Sequence, residues 1–245
     1  MFTKILELYR AVKIILFAPK VIPNVNNIKP YPSYSQSGED AIINAIFMIK
    51  GIFKPSYLDI GAHDPYFLSN TAMFYLRGAR GINIEANPLL IKSFENFRNE
   101  DINLNFGVSD NPKKEMDFYV FEDSTLSTFS EDEAIKLQNF GKKLNSKEKV
   151  QLKTITEIIN TYSDGKYPDF LTLDVEGLDF EILKSINYDN NSPKVICVEA
   201  SEFSPKGTGE KRHELIDFLC SKGYFEYANT NLNAIMVRND FWFTD

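Results

Sequence analysis

Two cysteines and two histidines among 245 residues close off several kinds of chemistry at once. So few cysteines exclude a disulfide framework, and Cys197 and Cys220 stand too far apart in the chain for zinc-ligand spacing. Cys197 lies in an apolar run and Cys220 in a helical pattern, so both read as buried free thiols in a reducing cytoplasm. Positive charge is scarce as well. The 27 Lys and Arg against 34 Asp and Glu leave a net charge of −7. A nucleic-acid backbone needs a basic footprint, so nucleic acid is not expected as a partner. No apolar run is long enough to span a bilayer, and no small-residue cleavage site follows the apolar N-terminal stretch. Neither a membrane span nor a signal peptide is expected. Glycine nowhere forms G-x-G-x-x-G, so a dinucleotide pyrophosphate has no evident cradle.

What the chain does have is alternation. Residues 1–33 read as an amphipathic helix, with apolar Phe2, Ile5, Leu6, Val12 and Ile15 among Lys4, Arg10 and Lys13, and a linker containing Pro19, Pro23, Pro30 and Pro32. That helix is expected to pack on the domain or on a second copy as a homodimer, or to touch a membrane surface. Residues 34–245 form the main domain. Ser37 is expected to cap a first helix, whose opening turn holds Glu39 and Asp40. Strands then follow at Ser56–Ile60, at "GINIE", at "INLNFGV", at "KEMDFYVF", at "VQLK", at "DFLTLD" and at "KVICVE", separated mostly by helical patterns. Residues 122–149 read as a charged, poorly patterned insert with a helix from Asp132 to Leu144, fit to act as a lid. A hairpin turning at Asn229–Asn233 closes the chain. This order predicts an α/β fold with a mostly parallel sheet covered on both faces.

In such sheets ligands bind beyond the carboxyl ends of the strands. Those ends are rich in acids: Asp59 and Asp64, then Glu85, then Asp110, then Asp174 and Glu176, then Glu199 and Glu202. Acids crowded on one edge repel one another unless a ligand or donor compensates them. Gly61 is expected to let the backbone approach a ligand closely. Glu85, ending the second strand, suits the two hydroxyls of a ribose. An adenosine ligand without phosphates but with positive charge fits this edge, and S-adenosylmethionine is such a ligand. A nicotinamide-dependent oxidoreductase on a related sheet is the competing reading, disfavoured by the missing glycine triplet. A non-catalytic scaffold binding a partner is a third.

The segments "SQSGED", "YLDIGAHDP", "GINIEANP" and "LDVEGLDFEIL" resemble, in order, the signature blocks of the FkbM family of S-adenosylmethionine-dependent methyltransferases. The resemblance covers roughly residues 34–238, and His63 stands where many relatives have asparagine. It implies a class I methyltransferase (Rossmann-like) fold of seven strands, one of them antiparallel. It also implies O-methylation of a hydroxyl, here on a carbohydrate. Surface-polysaccharide synthesis would be the setting, in the cytoplasm or peripherally at a membrane. On this resemblance Asp59, Gly61, Ala62 and His63 line the methionine end of the cofactor, Glu85 and Asn87 take ribose and adenine, and Ser109 and Asp110 read the adenine edge. Gln36 and Glu39 fold over the pocket. The acceptor side is assigned to Asp174, Glu176, Glu199 and His213, one of which takes the hydroxyl proton. Alternatively, Asp174 and Glu199 hold a Mg²⁺ that acidifies the hydroxyl. Lys206, Lys211 and Arg212 are expected to bind a diphosphate if the sugar is nucleotide-linked.

Overall fold

Short apolar runs become the centre of one large sheet. The computed structural model describes residues 32–110, 114–175, 178–189, 192–201 and 212–244. The amphipathic helix expected before residue 32, Glu176, Glu202, Lys206 and Lys211 lie outside them. In chain order the strands are β1 (Tyr57–Ile60), β2 (Gly81–Ile84), β3 (Ile102–Leu104), β4 (Gly107–Val108) and β5 (Glu115–Phe121). They continue as β6 (Leu144–Lys153), β7 (Phe170–Leu173), β8 (Val195–Glu199), β9 (Tyr224–Asn229) and β10 (Asn233–Arg238). The helices are α1 (Glu39–Ile49), α2 (Ala72–Leu76), α3 (Ile91–Phe97), α4 (Glu131–Asn139), α5 (Ile155–Tyr162), α6 (Asp179–Ser185), α7 (His213–Ser221) and α8 (Asn239–Phe243). None of the described helices is long and apolar enough to cross a membrane.

The main sheet has seven strands in the order β3-β2-β1-β7-β8-β10-β9. All its pairings are parallel except those of β10, which runs antiparallel to both β8 and β9. This is the α/β arrangement of a class I methyltransferase. Because side chains alternate along a strand, each face carries its own core. Leu58, Ile60, Ile84, Leu171 and Val198 pack against Ile155, Ile158 and Ile159 of α5, Ile182 of α6 and Leu219 of α7. Tyr57, Phe170, Val195 and Ile235 on the other face meet Ile43, Ile46 and Phe47 of α1 and Phe74 of α2.

A second sheet, β4-β6-β5, takes part of its central strand from the segment read as a poorly patterned insert. Here the structure corrects the sequence. The helix expected at Asp132–Leu144 stops at Asn139, and Gly141 follows with φ +81°. A strand ten residues long then begins at Leu144, where only its last four residues were expected. Its exposed lysines hid it. Lys147 and Lys149 straddle Asp117 of β5 at 2.9 Å and 2.7 Å, a cross-strand charge set in place of apolar alternation. The start of α1 also differs. Gly38, at φ +89°, precedes the helix, and it is Ser35, not Ser37, whose hydroxyl accepts the Gly38 and Asp40 amides. Ser37 instead donates its amide to Glu39.

Candidate active site

The order of the main sheet reverses at β1, which lies between β2 and β7. Beyond the carboxyl ends of these strands lies a cavity of about 430 Å³, within the roughly 300–1,000 Å³ usual for small-molecule sites. Its floor is Asp59, Gly61, Ala62 and His63 from β1, Ile84 and Glu85 from β2, and Thr172 and Asp174 from β7. Glu199 and Ser201 close one end, and Phe106, Val108, Phe118 and Phe129 form an apolar wall from the second sheet.

The corner after β1 explains itself locally. Gly61 has φ +81°, and a Cβ there would fall 1.8 Å from the Asp174 carbonyl oxygen. The glycine was expected to admit a ligand, but what it admits is the neighbouring strand. The Gly61 and Ala62 amides donate to the Ile84 carbonyl, which turns the chain toward Glu85. The His63 amide then donates to Glu85 Oε2 at 2.9 Å, and the Asn87 amide to Oε1 at 2.7 Å. Each carboxylate oxygen thus takes one backbone donor. A carboxylate has about four acceptor sites, so two remain for a vicinal diol. Burial pushes the Glu85 pKa up to about 7 despite these donors. The His63 imidazole meets Ser124 Oγ at 2.9 Å, its Nδ1 is buried without a partner, and burial lowers its pKa.

Asp59 is almost fully buried, and its Oδ2 accepts the Thr71 hydroxyl at 2.6 Å. Burial pushes its pKa up to about 6. Asp174 is exposed where it lines the cavity. Partial desolvation by the surrounding protein and the adjacent Asp179 charge act to raise its pKa, and Arg212 opposes them. Glu199 lies 3.8 Å from the Arg212 guanidinium, which also donates to Asp179 at 3.4 Å.

Of the residues expected at the site, Gln36, Asp59, Gly61, Ala62, His63, Glu85, Asp174 and Glu199 come together around this cavity. The others among the described residues do not line it. Glu39 is buried behind the rim and accepts from Thr230 at 2.6 Å and Asn233 at 3.0 Å. Asn87 accepts the Leu89 amide, as a helix-start residue does. Ser109 is buried beside β6, with its amide on the Lys153 carbonyl, and Asp110 is exposed. His213 is the exposed first residue of α7. Arg212, expected to bind phosphate, is engaged by two acids. Sequence reasoning missed Asn70, Ser124, Thr125, Ser127 and Asn233, all on the cavity wall, while Ser201, a polar strand-end residue in the sequence, does line it. The run of small hydroxyl residues "STLST" at 124–128 was the available signal. Among the described residues, no group of three or more His, Cys, Asp or Glu side chains is placed to hold a metal ion.

A mostly parallel sheet with acids at the ends of β1, β2 and β7 beside an apolar wall is the arrangement of a class I methyltransferase. The pattern of the family described as "Methyltransferase FkbM domain" matches residues 59–225, and the chain belongs to that family. No curated protein matches it. The nicotinamide reading falls with this assignment. The cavity fits the cofactor by its own chemistry: Glu85 keeps acceptor capacity for a diol, the phenylalanines offer a face for a purine, and the acids oppose positive charge.

Proposed function

We propose that the protein methylates a hydroxyl of a carbohydrate, with Asp174 as the base. One observation carries this reading. The cavity that Asp174 and Glu199 line also carries neutral hydrogen-bonding groups: Gln36, Asn70, Ser124, Thr125, Ser127 and Asn233. Amides and hydroxyls in such density suit a polyol, whose hydroxyls each need a donor or acceptor when taken from water.

S-adenosylmethionine, when bound, supplies an electrophilic methyl group whose departure leaves a neutral thioether. The protein's own part is alignment and proton removal. Glu85 and the His63 amide fix the nucleoside end. Alignment of this kind can supply roughly 7–11 kcal/mol of barrier lowering. Asp174, on the cavity with its pKa raised by the surrounding protein and Asp179, takes the acceptor's hydroxyl proton as the new carbon–oxygen bond forms. Glu199 is held by Arg212 as an anion and hydrogen-bonds a neighbouring hydroxyl. No described donor set supports the Mg²⁺ alternative. Binding of a sugar-linked diphosphate rests on Lys206 and Lys211, outside the described residues, and on Arg212, already engaged by Asp179 and Glu199.

The test is mass spectrometry of candidate sugars, free and nucleotide-linked, incubated with enzyme and S-adenosylmethionine. One added methyl on oxygen is expected. Asp174→Asn should lower kcat about 10²–10⁴-fold with the cofactor affinity near that of the parent. Methylation confined to nitrogen acceptors, or full activity in that variant, would sink the proposal.

A further inference from the structure

Beneath the β1 corner lies an arginine that no step above uses. Arg98 follows α3 and is fully buried. Its guanidinium is packed among the rings of Tyr57, Tyr75 and Phe94, at 5.3, 5.1 and 5.4 Å from their centroids. Its Nε donates to Asp101 Oδ2 at 3.0 Å, and Nη2 lies 2.9 Å from the same oxygen without hydrogen-bond alignment. Asp101 is itself fixed by the Tyr57 hydroxyl, the Gly81 amide at 2.9 Å and the Asn83 amide group at 3.0 Å. The arginine is therefore anchored to β1 and β2 and has little freedom. Its remaining nitrogen, Nη1, donates to Thr71 Oγ1 at 2.9 Å and reaches the Pro65 carbonyl at 3.5 Å. Thr71 passes the contact on, donating its own hydroxyl proton to Asp59 Oδ2.

We propose that Arg98 is a positioning residue for the cofactor pocket: through Thr71 it fixes the Asp59 carboxylate against the cavity, opposite the cationic end of the cofactor. This rests on the methyltransferase reading for its ligand, though not for its geometry. Two features separate the arrangement from a mere structural ion pair. The chain Arg98–Thr71–Asp59 ends on a residue that lines the cavity. In addition, Arg98 grips Pro65 and Thr71, within the loop that carries His63. The charge matters as well as the geometry. Asp59 is surrounded by groups that resist its ionisation: Asp101, and the carboxyls of Glu85 and Asp174, which repel its charge. Arg98 is the strongest influence in the other direction, followed by the Thr71 hydroxyl.

Two readouts test this. One is the titration midpoint of Asp59, followed by carboxyl ¹³C NMR and assigned with Asp59→Asn. The other is calorimetric binding of S-adenosylhomocysteine between pH 5.5 and 8. Thr71→Val keeps the shape and the ion pair but cuts the relay. It should raise the Asp59 midpoint by about one unit from its value of about 6, which weakens binding about eightfold at pH 5.5, about twofold at pH 7 and hardly at all at pH 8. Arg98→Met should raise the midpoint further, and Arg98→Lys should return it toward the parent. A folded Thr71→Val protein with an unmoved midpoint and parental affinity would overturn the proposal, even if its thermal stability fell. Should Arg98→Met fail to fold, Thr71→Val decides alone. If the parent protein does not bind S-adenosylhomocysteine, the methyltransferase reading fails, while the Asp59 midpoint still tests the relay.

Discussion

Glu85 shows how a single side chain can be worth more to a ligand than to the fold. It is buried, and burial lifts its pKa to about 7. An acid whose pKa rises on folding favours the folded state at low pH, and that contribution is lost as pH climbs through the folded value. For Glu85 the window runs from about 4.5 to about 7, on the order of 3 kcal/mol at full extent. Glu85→Gln cannot ionise. Its melting temperature, compared with the parent's, should therefore improve from pH 5.5 to about pH 7 and level off by pH 8, although binding of S-adenosylhomocysteine falls about tenfold or more. A temperature difference that stays flat with pH would contradict this. Glu85 and Asp59 were legible in the sequence because an acid ending a strand has few structural uses. Gly61 was legible as special, but its reason was not. Only the packed sheet shows that the Asp174 carbonyl occupies the space a Cβ would need. Ser124 stood out only as part of a hydroxyl-rich run, and its pairing with His63, 61 residues away, was not legible.

At the level of elements, regular apolar strands announced themselves and the charged strand did not. β1, β7 and β8 are buried along almost their whole length and read as continuous apolar runs. β6 carries its regularity in charge, paired with Asp117 across the ladder, so a hydrophobic pattern cannot find it. The consequence reaches the site, because the second sheet is a wall of the cavity. Phe129 packs on Phe118 with ring centroids 4.7 Å apart, and both line the pocket. Phe129→Ala should destabilise the protein by about 3–5 kcal/mol in urea denaturation. It should also weaken S-adenosylhomocysteine binding measured under folding conditions. Loss of stability with undiminished binding would show that the insert only decorates the domain.

The whole molecule is held together at the rim by contacts between its distant parts. Glu39 opens α1 and accepts hydrogen bonds from Thr230 and Asn233 of the last hairpin, with the Ser37 amide on its other oxygen. Burial works to raise its pKa, but these donors together outweigh it and the net shift is downward. A lowered acid pKa contributes stability above its ordinary value of 4.5, and that stability disappears as pH falls through the folded value. Glu39→Gln should cost about 1–3 kcal/mol at pH 7. The gap from the parent should narrow below pH 4.5, checked by thermal melts across pH. The motif order was enough to foretell the sheet, since each block is local. The closure of the rim was not foretold, since Gln36, Ser124 and Asn233 meet only when the chain is complete. During synthesis this has a plain result. The strand that slots between β8 and β9 is made after both of them, so a nascent chain lacking it has neither a finished sheet nor an intact mouth to its pocket. No fragment stalled before residue 233 should be able to hold the ligand.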